Sequence, residues 1–296
     1  MSTIMKTVVA TGASSGIGFE AVKQLLFQAQ PYNFILGARD IKTTTDAYNG
    51  LKYDSSKHSV TILPLELNNM KSVKAFSQQT LEKLGSRPIN YLMLNAATAY
   101  SKKVAETGPH GSKWIETYLV NHLSQHYLLH LLRRRLEESK ARIVVVSSGA
   151  VRMVKDPSTL EDEMLSAKEL DKGVYPTSKF IQLLGAQWWR RQLQGTCRVV
   201  AVSPGLIPGT RLTRGSGIAI PDSMPDAKSV PEGARSVLAA FTRDDFPEDP
   251  EQIFLTSWGE WWPKETYELA LDEKLQEKWS PSQEDIEREE GVNTAS

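Results

Sequence analysis

The chain has 296 residues, 40% of them hydrophobic and 8% aromatic, which is enough for one large domain around a single core. Its 35 Lys and Arg balance 35 Asp and Glu, so no basic excess points to nucleic acid or to an anionic membrane surface. A lone Cys197 excludes an intrachain disulfide framework, and no window approaches the ~18 apolar residues of a membrane span, so the expected location is cytoplasmic.

The first predicted strand covers 7–10 and runs into Thr11-Gly12-Ala13-Ser14-Ser15-Gly16-Ile17-Gly18, after which a helix is predicted over 17–29. Three glycines between a strand and a helix permit a tight turn and close approach of backbone N–H groups to a pyrophosphate, with the helix dipole aimed at the charge. A second predicted strand, 32–36, ends in Gly37-Ala38-Arg39-Asp40. Ala38 stands where an acid would bind a ribose 2′-hydroxyl, and Arg39 suits a 2′-phosphate. The expected cofactor is therefore NADP(H), with Asp40 the one residue that argues the other way.

Strands are then predicted at 60–63, 91–94, 142–147, 197–202 and 252–255, separated by helices at 69–84, 113–138, 176–194 and 231–242. Strands this apolar are covered on both faces, and their alternation with helices predicts an α/β fold. The expected architecture is a Rossmann-type doubly wound parallel sheet of about seven strands in a single domain, 1–296. Two segments, 151–173 and 205–229, break the rhythm and are expected to be substrate loops. A C-terminal tail occupies 258–296, and its Glu-rich part beyond Pro281 is expected to fray.

Tyr175-Pro176-Thr177-Ser178-Lys179 opens the 176–194 helix, so Tyr175 and Lys179 lie on one face a turn apart. An ammonium near a phenol favours the phenolate and suits proton transfer. Ser147-Ser148 ends the fifth strand, where open α/β sheets bind ligands. Asn121 is a polar residue in a largely apolar helical stretch, a position that calls for a specific hydrogen-bonding role.

With these residues together, the chain resembles the short-chain dehydrogenase/reductase family, over roughly residues 5–257. The resemblance implies Tyr175 as proton donor or acceptor and Lys179 as the group that tunes it and holds the nicotinamide ribose. It implies Ser148 as the group that polarises a substrate carbonyl, and Asn121 as support for Lys179 through a water. It also assigns Gly12, Ser14, Ser15, Gly16, Ile17, Gly18 and Arg39 to the cofactor, with Glu66 and Leu67 beside the adenine and Asn95-Ala96 beside the adenosine. Pro204, Gly205, Ile207 and Thr210 fall in the loop over the nicotinamide. Glu66 replaces the usual Asp and Ala97 the usual Gly, and the 27 positions from Ser148 to Tyr175 exceed the spacing in many members.

The tail, with Trp261-Trp262 and Lys278-Trp279, is similar to retinol-dehydrogenase-like members and fungal short-chain reductases. That similarity implies reduction or oxidation of a bulky apolar carbonyl or alcohol, such as a retinoid, a steroid or a secondary metabolite. An isomerase, epimerase or cyclase on the same fold and a non-catalytic NADP-binding regulator are the competing classes. His122, His126 and His130 form a helical stripe without a carboxylate or cysteine cluster, so a packed face or a subunit contact is expected and no metal site. A homodimer or homotetramer through the 113–138 and 176–194 helices is the expected assembly, with Trp258, Trp261, Trp262, Met153 and the 206–212 segment as candidate pocket walls.

Overall fold

The structure is a computed structural model that describes residues 4–99, 107–165, 174–210, 212, 221 and 223–293. Parts of the two expected substrate loops, 166–173 and most of 211–222, lie outside the described residues. Seven parallel strands pair in the order β3-β2-β1-β4-β5-β6-β7. They are β1 (Lys6–Thr11), β2 (Tyr32–Ala38), β3 (Ser59–Pro64), β4 (Tyr91–Leu94), β5 (Arg142–Val146), β6 (Arg198–Val202) and β7 (Phe254–Leu255). Strand order reverses between β1 and β4, which opens a crevice at their carboxyl ends.

The two-residue side-chain period divides the core into two layers. Val8, Ala10, Phe34, Leu36, Met93, Val144 and Val202 face α1 (Gly16–Leu26) and α8 (Val230–Thr242). Val9, Ile35, Leu92, Leu94, Ile143, Val145 and Ala201 face α3 (Met70–Leu84), α5 (Ser124–Glu138) and α7 (Val174–Gln192). Most of these side chains are fully buried, which is the doubly wound arrangement the sequence predicts.

Three local expectations are corrected. The helix predicted over 113–138 is broken into α4 (Glu116–Tyr118), one π turn (Leu119–Leu123) and α5. Regular apolar periodicity hides such a turn, which inserts one residue and re-aims its side chain. An unpredicted α2 (Ile41–Asn49) forms despite three consecutive threonines, because Asp40 caps it and Tyr48 Oη donates to Ala13 O at 2.7 Å. The 151–173 segment is not irregular in its described part: it forms short 3-10 turns, Gly149–Met153 and Pro157–Thr159, and α6 (Leu160–Met164).

In its described part, through Asn293, the tail does not fray. A 3-10 segment (Lys264–Leu271), α9 (Glu273–Lys278) and α10 (Gln283–Glu289) fold back over α5 and α7. Ile286 is buried, and the Glu287 carboxylate accepts from Tyr127 Oη at 2.7 Å and pairs with Lys74 at 3.3 Å. On α7 every residue from Pro176 to Trp189 is buried. The chain's own tail thus covers much of α7, leaving its last turn, Arg190 to Gln192, part-exposed. Among the described residues no helix is long and apolar enough to cross a membrane.

Candidate active site

The candidate cofactor-binding and catalytic residues follow the carboxyl ends of β1 to β6, which lie along one edge of the parallel sheet, or stand on the π turn (Asn121) and at the start of α7 (Tyr175 and Lys179). After β1, Gly12 and Gly16 adopt φ of 66° and 57°, which L side chains rarely adopt. A Cβ on Gly18 would sit 2.3 Å from Gly12 O and 2.4 Å from Asn95 Nδ2, so α1 packs too tightly for any other residue. Asn95 Nδ2 donates to Gly12 O at 2.8 Å, and Thr11 Oγ1 accepts from Asn95 N and Ala96 N at 3.2 Å. These bonds fix the glycine loop against the turn that follows β4.

The first turn of α1 has no side-chain cap from Ser15 and no acidic residue, so its N–H groups are open to an anion. That cradle fits a dinucleotide pyrophosphate. Thr210 approaches Gly16, with methyl and Cβ 3.9 Å from a Cβ built there, so the Pro204–Thr210 loop closes over the cradle. Ile207 is buried against Ile17 and Gly233.

At the end of β2, Ala38 is buried and Arg39 exposed. Asp40, the residue that argued for NAD, has its carboxylate committed to α2, accepting from Thr43 N at 2.9 Å and Thr43 Oγ1 at 2.7 Å. Glu66 lies within reach of the Arg39 charge: burial pushes its carboxyl up, and the Arg39 guanidinium opposes that rise. Leu67 is buried beside it.

Asn121, Ser148, Tyr175 and Lys179 lie close together, Asn121 being linked to the Tyr175 turn through Ser178. Ser148 Oγ accepts from Ala150 N at 3.2 Å and hydrogen-bonds the Tyr175 phenol. Its neighbour Ser147 is buried in the sheet end, so the second serine is the one presented. Lys179 Nζ lies 6.0 Å from the Tyr175 ring centroid and donates to Val146 O at 2.8 Å and Gln182 Oε1 at 3.0 Å. Burial pulls its pKa down to about 7. The Tyr175 phenol is not lowered by this neighbour; burial pushes it up to about 12, with the Ser148 bond opposing. Desolvation disfavours both charged forms, and for the phenol it outweighs the attraction of an ammonium 6.0 Å from the ring centroid.

Asn121 sits on the π turn, where Oδ1 accepts from Thr98 N at 2.8 Å. Nδ2 donates to Thr98 O and to Ser178 Oγ, both at 2.9 Å. Ser178 was overlooked in the sequence although it stands inside the quoted Tyr-Pro-Thr-Ser-Lys run. Its hydroxyl also donates to Tyr175 O at 2.8 Å, and so ties Asn121 to the turn that carries the tyrosine. Thr177 Oγ1 in turn bonds the Glu163 carboxylate on α6.

The aromatic pocket wall is only partly assembled. Trp262 stacks on Phe254, 4.6 Å between centroids, and reaches within 3.5 Å of a Cβ on Gly149, next to Ser148. Arg152 lies over the same indole at 4.8 Å. Trp261 instead packs on Phe246, and Trp258 is exposed with Lys228 over its ring. Met153 is exposed at 67%. The histidine stripe holds the tail: His122 Nε2 meets Trp279 O at 2.7 Å and His126 Nε2 meets Pro281 O at 3.0 Å.

Comparison with known proteins agrees with this geometry. Residues 6–159 match the family model for short chain dehydrogenases. A short-chain dehydrogenase/reductase of Pestalotiopsis microspora is 55% identical over 97% of this chain and 99% of its own length. Human retinol dehydrogenase 12 is 31% identical over 79% of this chain and 72% of its own. Among solved structures, an NADPH-bound carbonyl reductase from chicken fatty liver superposes with a TM-score of 0.65 at 21% identity, covering 88% of this chain and 94% of its own. A Sphingobium yanoikuyae short-chain dehydrogenase in complex with NADPH gives 0.64 at 22%, covering 94% and 96%; at such identity these two establish the fold. The fold, the site and the likeness along nearly the whole length agree: the chain belongs to the short-chain dehydrogenase family, and is an oxidoreductase of that family.

Proposed function

We propose that the protein is an NADPH-dependent reductase that interconverts a carbonyl and an alcohol on a bulky apolar small molecule, such as a secondary metabolite. The observation that carries this reading is the Asn121, Ser148, Tyr175 and Lys179 cluster at the sheet end beside an open phosphate cradle. The nicotinamide, when bound, supplies the two electrons that reduce the carbonyl carbon.

The chain's own residues do the rest. Ser148 Oγ polarises the carbonyl oxygen, and Tyr175 Oη delivers the proton to the alkoxide that develops there. A phenol held near 12 keeps that proton at neutral pH until the alkoxide, a far stronger base, is formed. Lys179 keeps a donor for the ribose and stabilises the phenolate left behind. Trp262, against Gly149, supplies an apolar wall beside the reacting oxygen. Retinol dehydrogenase 12, whose name gives an apolar alcohol as substrate, supports a small apolar substrate.

Fluorescence titration with NADPH and NADH, then absorbance at the nicotinamide band against bulky ketones and aldehydes, tests the reading. Tight NADPH binding with substrate-dependent oxidation is expected. Binding without turnover of any carbonyl or alcohol would overturn the reductase assignment. Arg39→Asp should weaken NADPH binding by roughly 10- to 100-fold, the loss of a charge-assisted phosphate contact of about 1.5–3 kcal/mol, and improve NADH binding. An unchanged preference between the two would remove Arg39 from the cofactor site.

A further inference from the structure

Lys179 is only 1% exposed, and the protein takes two of its N–H groups, through Val146 O and Gln182 Oε1. An ammonium has three donors and no acceptor, so one remains for a ligand. Gln182, one turn along α7, must present its oxygen to this group, because an ammonium cannot accept from an amide N–H. Its Nε2 therefore faces away, and that atom is buried with no partner among the described residues.

Gln125 on the facing helix α5 is in the complementary state. Its Nε2 donates to Ala96 O and Val120 O at 2.9 Å and to Asn121 O at 3.2 Å. Three carbonyls fix that orientation, so Oε1 faces the other way, again buried with no partner among the described residues. Gln182 and Gln125 both line one cavity between α5, α7 and the sheet, bounded also by Leu94, Val145, His126 and Trp189. Its volume, about 20 Å³, accommodates a single water. A buried donor and a buried acceptor at one water-sized cavity call for such a bridge.

We propose that Gln182 is a positioning residue for Lys179, and that the cavity holds one water that accepts from Gln182 Nε2 and donates to Gln125 Oε1. The lysine is thereby tied to the π turn that carries Asn121. Gln125 plugs that turn by bonding the Val120 and Asn121 carbonyls, so the two glutamines set the spacing between the α5 and α7 halves of the site. Gln182 also favours the charged form of Lys179, since its carbonyl dipole accepts from the ammonium. The inference rests on Lys179 being the site lysine of the reading above.

The test follows the titration of Lys179 in the full chain without substrate, by NMR of [13Cε]-lysine-labelled protein with the resonance assigned through Lys179→Met. Gln182→Met, of similar shape, should lower the Lys179 pKa by about one unit, and Gln182→Glu, which adds a facing carboxylate, should raise it by one or more. An unshifted Lys179 in both folded variants would overturn the positioning role. For the water, thermal unfolding of Gln182→Met, Gln125→Met and the double variant supplies a cycle: the double loss should be smaller than the sum, because a lone orphan is costlier than none. Strict additivity would refute the bridge. Neither readout needs turnover, so a chain inactive on every carbonyl while Lys179 still shifts would fail the functional reading and leave this one standing.

Discussion

Tyr175→Phe should lower kcat by roughly 10²- to 10⁴-fold, the usual contribution of a positioned proton donor, while the NADPH Kd changes less than about threefold. The substitution removes one oxygen and keeps the ring that packs at the start of α7. Ser148 Oγ retains its bond from Ala150 N, so no group is left without a partner. Activity within a few-fold of wild type, measured by NADPH oxidation, would take the proton-transfer role away from Tyr175.

Lys179 gives the same site a pH signature. Its pKa, pulled down to about 7 by burial, lies below the free value of 10.5. The charged form that stabilises a developing phenolate is present below about pH 7 and lost above it, so the reduction rate should fall as pH rises through this range. The folding linkage runs the other way: between pH 7 and 10.5 the unfolded chain binds the proton and the native chain does not, so this residue's share of stability grows as pH rises. Lys179→Met should therefore unfold at a higher temperature than wild type near neutral pH while losing activity. Stability and activity that fall together would argue that the lysine is held for packing alone.

The sheet was legible because each strand is an apolar run buried on both faces, a signal that needs only local composition. The phosphate loop and the Tyr175 and Lys179 pair were legible for a similar reason, since glycine positions and helical spacing are local. What escaped depends on distant contacts. Helix α2 contains Thr43-Thr44-Thr45, poor helix formers, and stands on Asp40 and on the Tyr48 bond to Ala13, 35 positions away. The Glu-rich end reads as solvated tail until Tyr127 and Lys74 are seen around Glu287. Gln182 could have been found by the criterion that picked Asn121, since it is an amide within the apolar run Phe180-Ile181-Gln182-Leu183-Leu184, whereas Gln125 lies between Ser124 and His126 and gives no such signal.

Trp279→Ala should cost about 3–5 kcal/mol, as for other buried tryptophans, and lower the Tm by roughly 10 °C at about 2–4 °C per kcal/mol. The indole is 3% exposed, with ring centroids 6.0 Å from Trp114 and 5.6 Å from Tyr118. Its backbone carbonyl accepts from His122 Nε2, which requires the proton on that nitrogen. His126 is constrained on both sides: Nδ1 accepts from Trp189 Nε1 at 2.8 Å while Nε2 donates to Pro281 O. A second proton on His126 would set two donors against each other at Trp189, so the tail docks on neutral imidazoles. Burial holds His122 at about 4 and pushes His126 lower than its free value. Below pH 6.5 the unfolded histidines take up protons that the native ones refuse, so stability present above 6.5 is lost as pH falls towards 4, by about 3 kcal/mol for His122 alone. Thermal unfolding between pH 4 and 8 should show this slope, and His126→Gln should flatten it. A profile unchanged by that substitution would place the acid sensitivity elsewhere, and a Trp279→Ala variant as stable as wild type would mean that the tail does not hold α7, and with it Tyr175, Lys179 and Gln182, against the sheet.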